Sequence, residues 1–319
     1  MNLYHEVITA ENRIRPWILR TPVEYSPWLS QKTGARVWLK MEHLQITGSF
    51  KLRGAANKIL SLSSEEKNRG VITASTGNHG SALAYIASQT DCKATIYLPE
   101  TVAKNKVEMM QLYGGELVFR GQDSVETENY ARAMAEALGL LFVSPYNDPQ
   151  IIGGQGTLGI ELTEQVPDMD AVLVPVGGGG LISGIAGYLK TVSPSVKVVG
   201  CQPKNSAVMY ESVLAGKILD IPSLPTLSDG TAGGLESGSI TFDLCRQYVD
   251  DYQLVSEKEI GQSLRFLLEK HYLLVEGAAA LSVASLLQAP ERYKGKTVVL
   301  ILCGRKMGLD ILKKILNED

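Results

Sequence analysis

Three segments of this sequence hold side chains in arrangements that could do chemistry. The first is Lys40-Met-Glu-His-Leu-Gln-Ile-Thr-Gly-Ser-Phe-Lys51-Leu-Arg-Gly-Ala55. A lysine among apolar neighbours can lose enough water to become a free amine near neutral pH, hence a nucleophile or a base. A lysine in such a place also commonly snorkels to the surface. The second segment is Ser75-Thr-Gly-Asn-His79, which follows an apolar run and precedes a helical pattern. Its hydroxyls, amide and backbone N–H groups suit a carboxylate, and the same residues would serve as an N-cap turn. In the third, Ala171–Val176 runs straight into Gly177, Gly178, Gly179 and Gly180, then into the helical Leu181-Ile-Ser-Gly-Ile-Ala. Consecutive glycines let backbone N–H groups curl round an anion, and a helix start adds partial positive charge. A phosphate is the natural guest.

Neither standard phosphate motif fits this loop. It lacks the Walker A lysine, since Ile185 follows Gly184, and Ile182 or Ser183 occupies the last glycine position of G-x-G-x-x-G. A literal G-x-G-x-x-G stands at Gly154–Gly159, but it follows the turn-like Asn147-Asp-Pro-Gln150 rather than a strand. It reads as the start of a helix running towards Glu161.

The elements that must position these segments alternate. Arg36–Met41, Gly70–Ala74, Ala94–Leu98, Glu116–Phe119, Leu141–Val143, Ala171–Val176, Val196–Cys201 and Thr297–Cys303 read as buried strands. Helical spacing of apolar residues marks Ser81–Ser88, Ala103–Leu112, Glu126–Leu138 and Leu181–Leu189. Such alternation predicts an α/β fold of parallel sheets with helices on both faces, and ligands at the carboxyl ends of strands. With no linker visible, the strand groups set the division: a large domain from 1–68 and 148–319, and a small one from 69–147.

Composition narrows the class. The 319 residues carry 31 Lys+Arg against 34 Asp+Glu, a net charge of −3, with no run of like charges. That disfavours nucleic acid and membrane surfaces as partners. The uncharged stretch Ala171–Leu189 contains Pro175 and the glycine run, which suit a strand, loop and helix better than a membrane span. MNLYHEVITAENRIRPW has acidic residues and no apolar core, so no signal peptide is expected. Cys92, Cys201, Cys245 and Cys303 form no CxxC pair, which favours reduced thiols and a cytoplasmic location.

Together the segments resemble the fold-type-II pyridoxal-phosphate enzymes, and among them the serine/threonine dehydratase and serine racemase family. The resemblance runs from Thr21-Pro22 to Cys303-Gly304. It rests on Ser-Phe-Lys-Leu-Arg-Gly, Ser-Thr-Gly-Asn-His-Gly, Gly154-Gln-Gly-Thr157, Gly-Gly-Gly-Gly-Leu and Val275-Glu-Gly-Ala-Ala279, in the family's order. It implies a two-domain, tryptophan-synthase-β-like fold and pyridoxal 5'-phosphate as cofactor. Lys51 would hold that cofactor covalently and, once released, take the substrate α-proton. Phe50 would pack by the cofactor ring, Asn78 would bond its 3-oxygen, and Gly177–Gly180 with Leu181 would surround its phosphate. Ser75, Thr76, Asn78 and His79 would form the substrate loop. Glu276 would line the pocket, although a helix-start carboxylate explains it as well.

Cys303 takes the family's small position facing the pyridine nitrogen. A thiol cannot keep a proton there, which favours loss of the α-proton as a β-leaving group departs. The implied activity is β-elimination of water from L-threonine or L-serine, giving a 2-oxo acid and ammonia. A homodimer or larger homo-oligomer is the expected assembly.

Three departures weigh on the alternatives. Racemising members carry serine where Thr76 stands, and the extra methyl crowds the face opposite the lysine. Metal-binding members have Glu-Pro and an aspartate where this chain has Gln202-Pro203 and Val208, so no metal is expected. The usual Ser-Gly-Gly-Asn is Cys303-Gly304-Arg305-Lys306. The last departure, with the Ser75-Thr-Gly-Asn-His-Gly80 loop and Leu227-Ser-Asp-Gly-Thr-Ala-Gly-Gly234, also resembles the hydroxyectoine-utilisation dehydratases, which makes a hydroxyectoine-derived amino acid an alternative substrate. Little chain follows Cys303, so no C-terminal regulatory domain is expected. A racemase, a β-replacement enzyme of the cysteine-synthase kind and a cofactor-binding protein without turnover are the alternatives; a cysteine synthase typically has Ser-Gly-Asn-Thr-Gly in the asparagine loop.

Overall fold

Ala171–Pro175 (β7) and Thr297–Ile301 (β10) are buried at every position, as strands covered on both faces must be. The computed structural model describes residues 2–102 and 104–317. It places these strands side by side in a six-stranded sheet of order β1-β2-β10-β7-β8-β9. Here β1 is Val23–Tyr25, β2 Arg36–Lys40, β8 Lys197–Pro203 and β9 Asp251–Val255. Only β1 runs antiparallel, against β2. A four-stranded parallel sheet of order β5-β4-β3-β6 is built from β3 (Val71–Ala74), β4 (Ala94–Leu98), β5 (Glu116–Phe119) and β6 (Leu141–Phe142).

The eight predicted strands form, with ends shifted by a residue or two. The strands β1 and β9 do not stand out in the sequence. β1 is three residues long and mostly exposed, and β9 alternates polar and apolar residues at a sheet edge. Neither carries the continuous apolar run that marks a buried parallel strand. The four predicted helices also form; Ala103, the first residue of one of them, lies outside the described residues.

One reading needs correction. Gly154–Gly159 is not a helix start but the middle of a helix over Pro149–Gln165. That helix begins at Asp148, whose Oδ1 accepts from the N–H groups of Gln150 and Ile151, with Pro149 in its first turn. Its glycines permit helix–helix contact. A Cβ on Gly154 would lie 2.5 Å from the carbonyl oxygen of Arg53, and one on Gly156 2.9 Å from that of Gly184. The helices Lys51–Ser61 and Gly180–Val192 therefore pack backbone-close on Pro149–Gln165. The Lys51 helix also lends Leu52, Ala55, Ala56 and Ile59 to the apolar cluster beneath the smaller sheet. It is held from both sides, and the lysine sits at its first residue.

Candidate active site

The register of the large sheet brings the chemical segments together. Ile301 lies beside Lys40 and Leu300 beside Leu173, so the chain leaves β2, β7 and β10 along one edge. The Phe50 N–H donates to the Cys303 carbonyl (3.1 Å), Ser49 bridges Gly304, and the Arg305 N–H donates to the Gly48 carbonyl (3.0 Å). These bonds stitch the approach to Lys51 onto the end of β10. Lys51 is half-buried; its amine donates to the Pro145 carbonyl at 2.9 Å and lies 5.3 Å from the Phe50 ring centre. Burial pulls its pKa down to about 8, partly offset by Cys303 and Glu276. A substantial fraction is then neutral at physiological pH, as a nucleophile or base requires.

Gly77 precedes the helix Asn78–Gln89, and no side chain caps that helix. Its first N–H groups therefore stay open to an anion. A Cβ on Gly80 would lie 2.5 Å from the Ser75 carbonyl, so the turn requires glycine there. The Ser75 hydroxyl accepts from the Gly77 N–H, and Thr76 is half-buried beside it. The His79 ring is turned away into the protein, with Nε2 at 3.2 Å from the Val143 carbonyl. Burial, reinforced by Lys51, drops its pKa to about 3. His79 is thus a neutral, bonded ring, and what it offers the loop is its backbone N–H.

Glu276 stands at the N-cap of the helix Gly277–Gln288, yet its side chain does not cap it. Instead the buried carboxylate accepts from Asn78 Nδ2 at 2.9 and 3.1 Å and from the Lys306 N–H at 3.2 Å, with Cys303 Sγ 3.9 Å away. A Cβ on Gly304 would lie 2.6 Å from this carboxylate, so a larger residue there would have to displace the Glu276 side chain. Burial raises the Glu276 pKa to about 7 against the opposing pull of Asn78. A buried acid raised in the folded state helps stability fully below its unfolded pKa, and that help is lost as pH rises through the folded one. In cofactor-free protein the wild type should therefore lose about 2–3 kcal/mol relative to Glu276→Gln between pH 4.5 and 8. Urea midpoints across that range check it; parallel curves would show that the carboxyl is not proton-coupled to folding.

The glycine run is an anion cradle by geometry. Gly179 is left-handed (φ +85°) and caps the helix Gly180–Val192 without a side chain, while Leu181 is buried behind it. A Cβ on Gly178 would meet the Tyr146 ring at 2.4 Å. The Thr241 hydroxyl pins the loop by donating to the Gly178 carbonyl. Asn78 Oδ1, nearly inaccessible to water, has no partner among the described residues. A bare N-terminal cradle, a half-buried amine and an amide oxygen in need of a donor fit a phosphorylated carbonyl cofactor that carries a ring hydroxyl.

Sequence reasoning passed over several residues around this site. Tyr146, which walls the cradle, lies in a turn with no motif. Arg53 stood unassigned inside the lysine motif, yet it is fully buried and bonded to Glu42 and Glu161. An arginine so close to a buried lysine was the one available signal, since an interior guanidinium needs buried carboxylates.

Such a fold and site define an enzyme that works through an amine-bound, phosphate-anchored cofactor. The chain belongs to the pyridoxal-phosphate-dependent enzyme family, whose model matches residues 14–304. An L-threonine ammonia-lyase of Thermotoga maritima is 40% identical over 313 residues, covering 98% of this chain and 78% of that protein. Among solved structures, the processed form of threonine deaminase isoform 2 from Solanum lycopersicum superposes with a TM-score of 0.94 at 32% identity, covering 98% and 92% of the two chains. Maize serine racemase superposes with a TM-score of 0.91 at 32% identity, covering 98% and 96%. Pyridoxal phosphate is the cofactor of this family, and the residues described above suit it.

Proposed function

We propose that this enzyme eliminates water from a β-hydroxy amino acid, L-threonine or L-serine, releasing a 2-oxo acid and ammonia. The observation that carries the reading is that the Lys51 amine lies close both to the uncapped helix start at Asn78 and His79 and to the neutral Cys303 thiol beyond β10. Pyridoxal phosphate, when bound, supplies the electron sink that makes the α-proton acidic. Gly177–Gly180 and Leu181 would hold its phosphate, Phe50 its ring and Asn78 its 3-oxygen. Ser75, Thr76 and the N–H groups of Asn78 and His79 orient the substrate carboxylate, and Lys51 Nζ takes the α-proton. Burial lifts the Cys303 thiol well above its ordinary pKa, so it stays neutral and offers no counter-charge to a ring proton. The C–O bond then breaks, and the electron pair of the lost α-C–H bond forms the new C=C bond. The proton held by Lys51 Nζ goes to the departing hydroxyl so that it leaves as water, and the released enamine takes up water to give the 2-oxo acid and ammonia.

Names of relatives support this reading: besides the Thermotoga protein, a catabolic L-threonine dehydratase of Staphylococcus aureus is 38% identical over 317 residues. The proposal includes the division into 1–68 with 148–319 and 69–147, a cytoplasmic location and a homo-oligomer. Free, buried cysteines suit a reducing compartment. The exposed Tyr25, Trp28 and Tyr272, grouped around the Ser26–His271 contact, suit a second copy. Among the described residues no helix is long and apolar enough to cross a membrane.

The test is a screen of β-hydroxy amino acids for 2-oxo acid release by cofactor-loaded protein. Turnover of L-threonine or L-serine is expected, and it should persist in excess EDTA, because the Gln202 side chain already accepts the Tyr210 N–H and Val208 has no ligand atom. Racemised substrate without 2-oxo acid would overturn the reading.

A further inference from the structure

The segment from Asp229 to Thr241 runs round the site. A Cβ on Gly230 would come within 3.4 Å of Glu276 Oε1, one on Gly177 would meet Thr231, and Thr241 bonds Gly178. Between these anchors lies the glycine-rich stretch 232–239. Gly233 and Gly238 have φ of +124° and +68°, and none of Gly233, Gly234 and Gly238 has an atom within 4 Å of where a Cβ would sit. The glycines pack against little, although Leu235 reaches the main core and the Gly233 N–H donates to the Ser206 hydroxyl (3.2 Å). The charged anchor of the stretch is Glu236. Its Oε1 accepts from the Ser144 hydroxyl (2.9 Å) and Arg132 Nη2 (2.9 Å), and its Oε2 from Asn147 Nδ2 (3.0 Å). The Glu236 N–H donates to the Tyr146 hydroxyl (2.8 Å), and Asn147 Oδ1 accepts from the Ile240 N–H (3.0 Å).

Arg132 lies on the helix Ser124–Leu138, which packs on the smaller sheet, whereas 232–239 belongs to the chain of the large one. Ser144–Asn147 is the connection that leads from β6 into Pro149–Gln165, and it carries Tyr146 against the glycine cradle and Pro145 against Lys51. One carboxylate therefore gathers three donors, from the helix on the smaller sheet and from the connection after β6, onto a glycine-rich rim. We propose that Glu236 is a positioning residue, a latch that fixes the 232–239 rim to Arg132, Ser144 and Asn147 and keeps the site around Lys51 in its substrate-binding form. The proposal rests on the dehydratase reading only for the identity of the ligand.

The test compares cofactor-loaded wild type, Glu236→Gln and Glu236→Ala by amide hydrogen exchange and by kinetics with L-threonine and L-serine. In the alanine variant, exchange within 232–239 and 144–147 should rise about ten- to a hundredfold while β7 and β10 keep their protection. KM should rise by about the same factor, because a smaller fraction of the enzyme is binding-competent, and kcat should change less than about threefold. Glu236→Gln, which keeps one acceptor but loses the charge facing Arg132, should fall between and carries the test if the alanine variant does not fold. Unchanged exchange in the rim, exchange that rises evenly through the chain, or a fall in kcat alone would overturn the latch. A wild type that turns over neither amino acid would end the dehydratase reading, and the exchange data would still decide the role of Glu236.

Discussion

Lys51→Ala abolishes turnover: 2-oxo acid release falls by at least about 10²–10⁴-fold, the worth of a positioned general base alone. The covalent hold on the cofactor goes with it, so the visible absorbance of the loaded enzyme is lost as well. The fold should survive. Among the described residues Lys51 makes no ion pair, and its amine donates to the Pro145 carbonyl. Its pKa is also pulled down to about 8, which means the protein holds the charged amine at a cost near neutral pH. Removing that amine leaves unfolding midpoints equal or slightly higher. A variant that keeps more than about a hundredth of the wild-type rate would remove Lys51 from the proton transfer.

Arg53→Met should have the largest effect on stability. The Arg53 guanidinium donates to Glu42 at 2.7 and 2.8 Å, to Glu161 at 2.8 and 3.0 Å and to the Thr157 hydroxyl at 3.1 Å, all out of contact with water. Lys40, itself wholly buried, shares Glu161 and donates to the Thr21 carbonyl. Methionine fills much of the volume but leaves Glu42 without its cation, and breaking a buried pair in this way costs about 3–5 kcal/mol. Replacing Glu42 by glutamine as well should recover part of the loss, because the uncompensated charge dominates the cost rather than the lost bonds. Burial would raise the Glu161 pKa, but Arg53 and Lys40 hold it down to about 2. That pairing stabilises the fold above the unfolded pKa and is lost as pH falls towards 2. The variant should therefore show a shallower acid-side decline. Urea denaturation at pH 7 and pH 3 measures both effects, and a loss under about 1 kcal/mol at pH 7 would show that the network is not what anchors the Lys51 helix.

The signals that were legible in the sequence are those carried by neighbouring residues. Ala171–Pro175 announces a covered strand because all its side chains are apolar, whereas β9 shows only alternation and passes for a loop. The Gly154–Gly159 motif misled because glycine marks both a tight turn and a close helix crossing. Only the distances to Arg53 and Gly184 show that the second applies.

Taken by itself, the sequence determined the alternation of strands and helices, the glycine cradle and the chemistry available to Lys51. A phosphate cradle is made of consecutive backbone N–H groups, and a lysine's possible reactions follow from its type and its apolar neighbours. Tertiary structure alone decided which charges are shared and which are left over. Glu276 meets Asn78 across 198 positions of chain, Arg53 meets Glu161 across 108, and Ser144 meets Glu236 across 92. Whether a glutamate caps its own helix, balances a buried arginine or latches a loop depends on where water is excluded and what lies opposite. Those conditions arise only when distant segments pack, because desolvation makes a charge costly and a partner necessary.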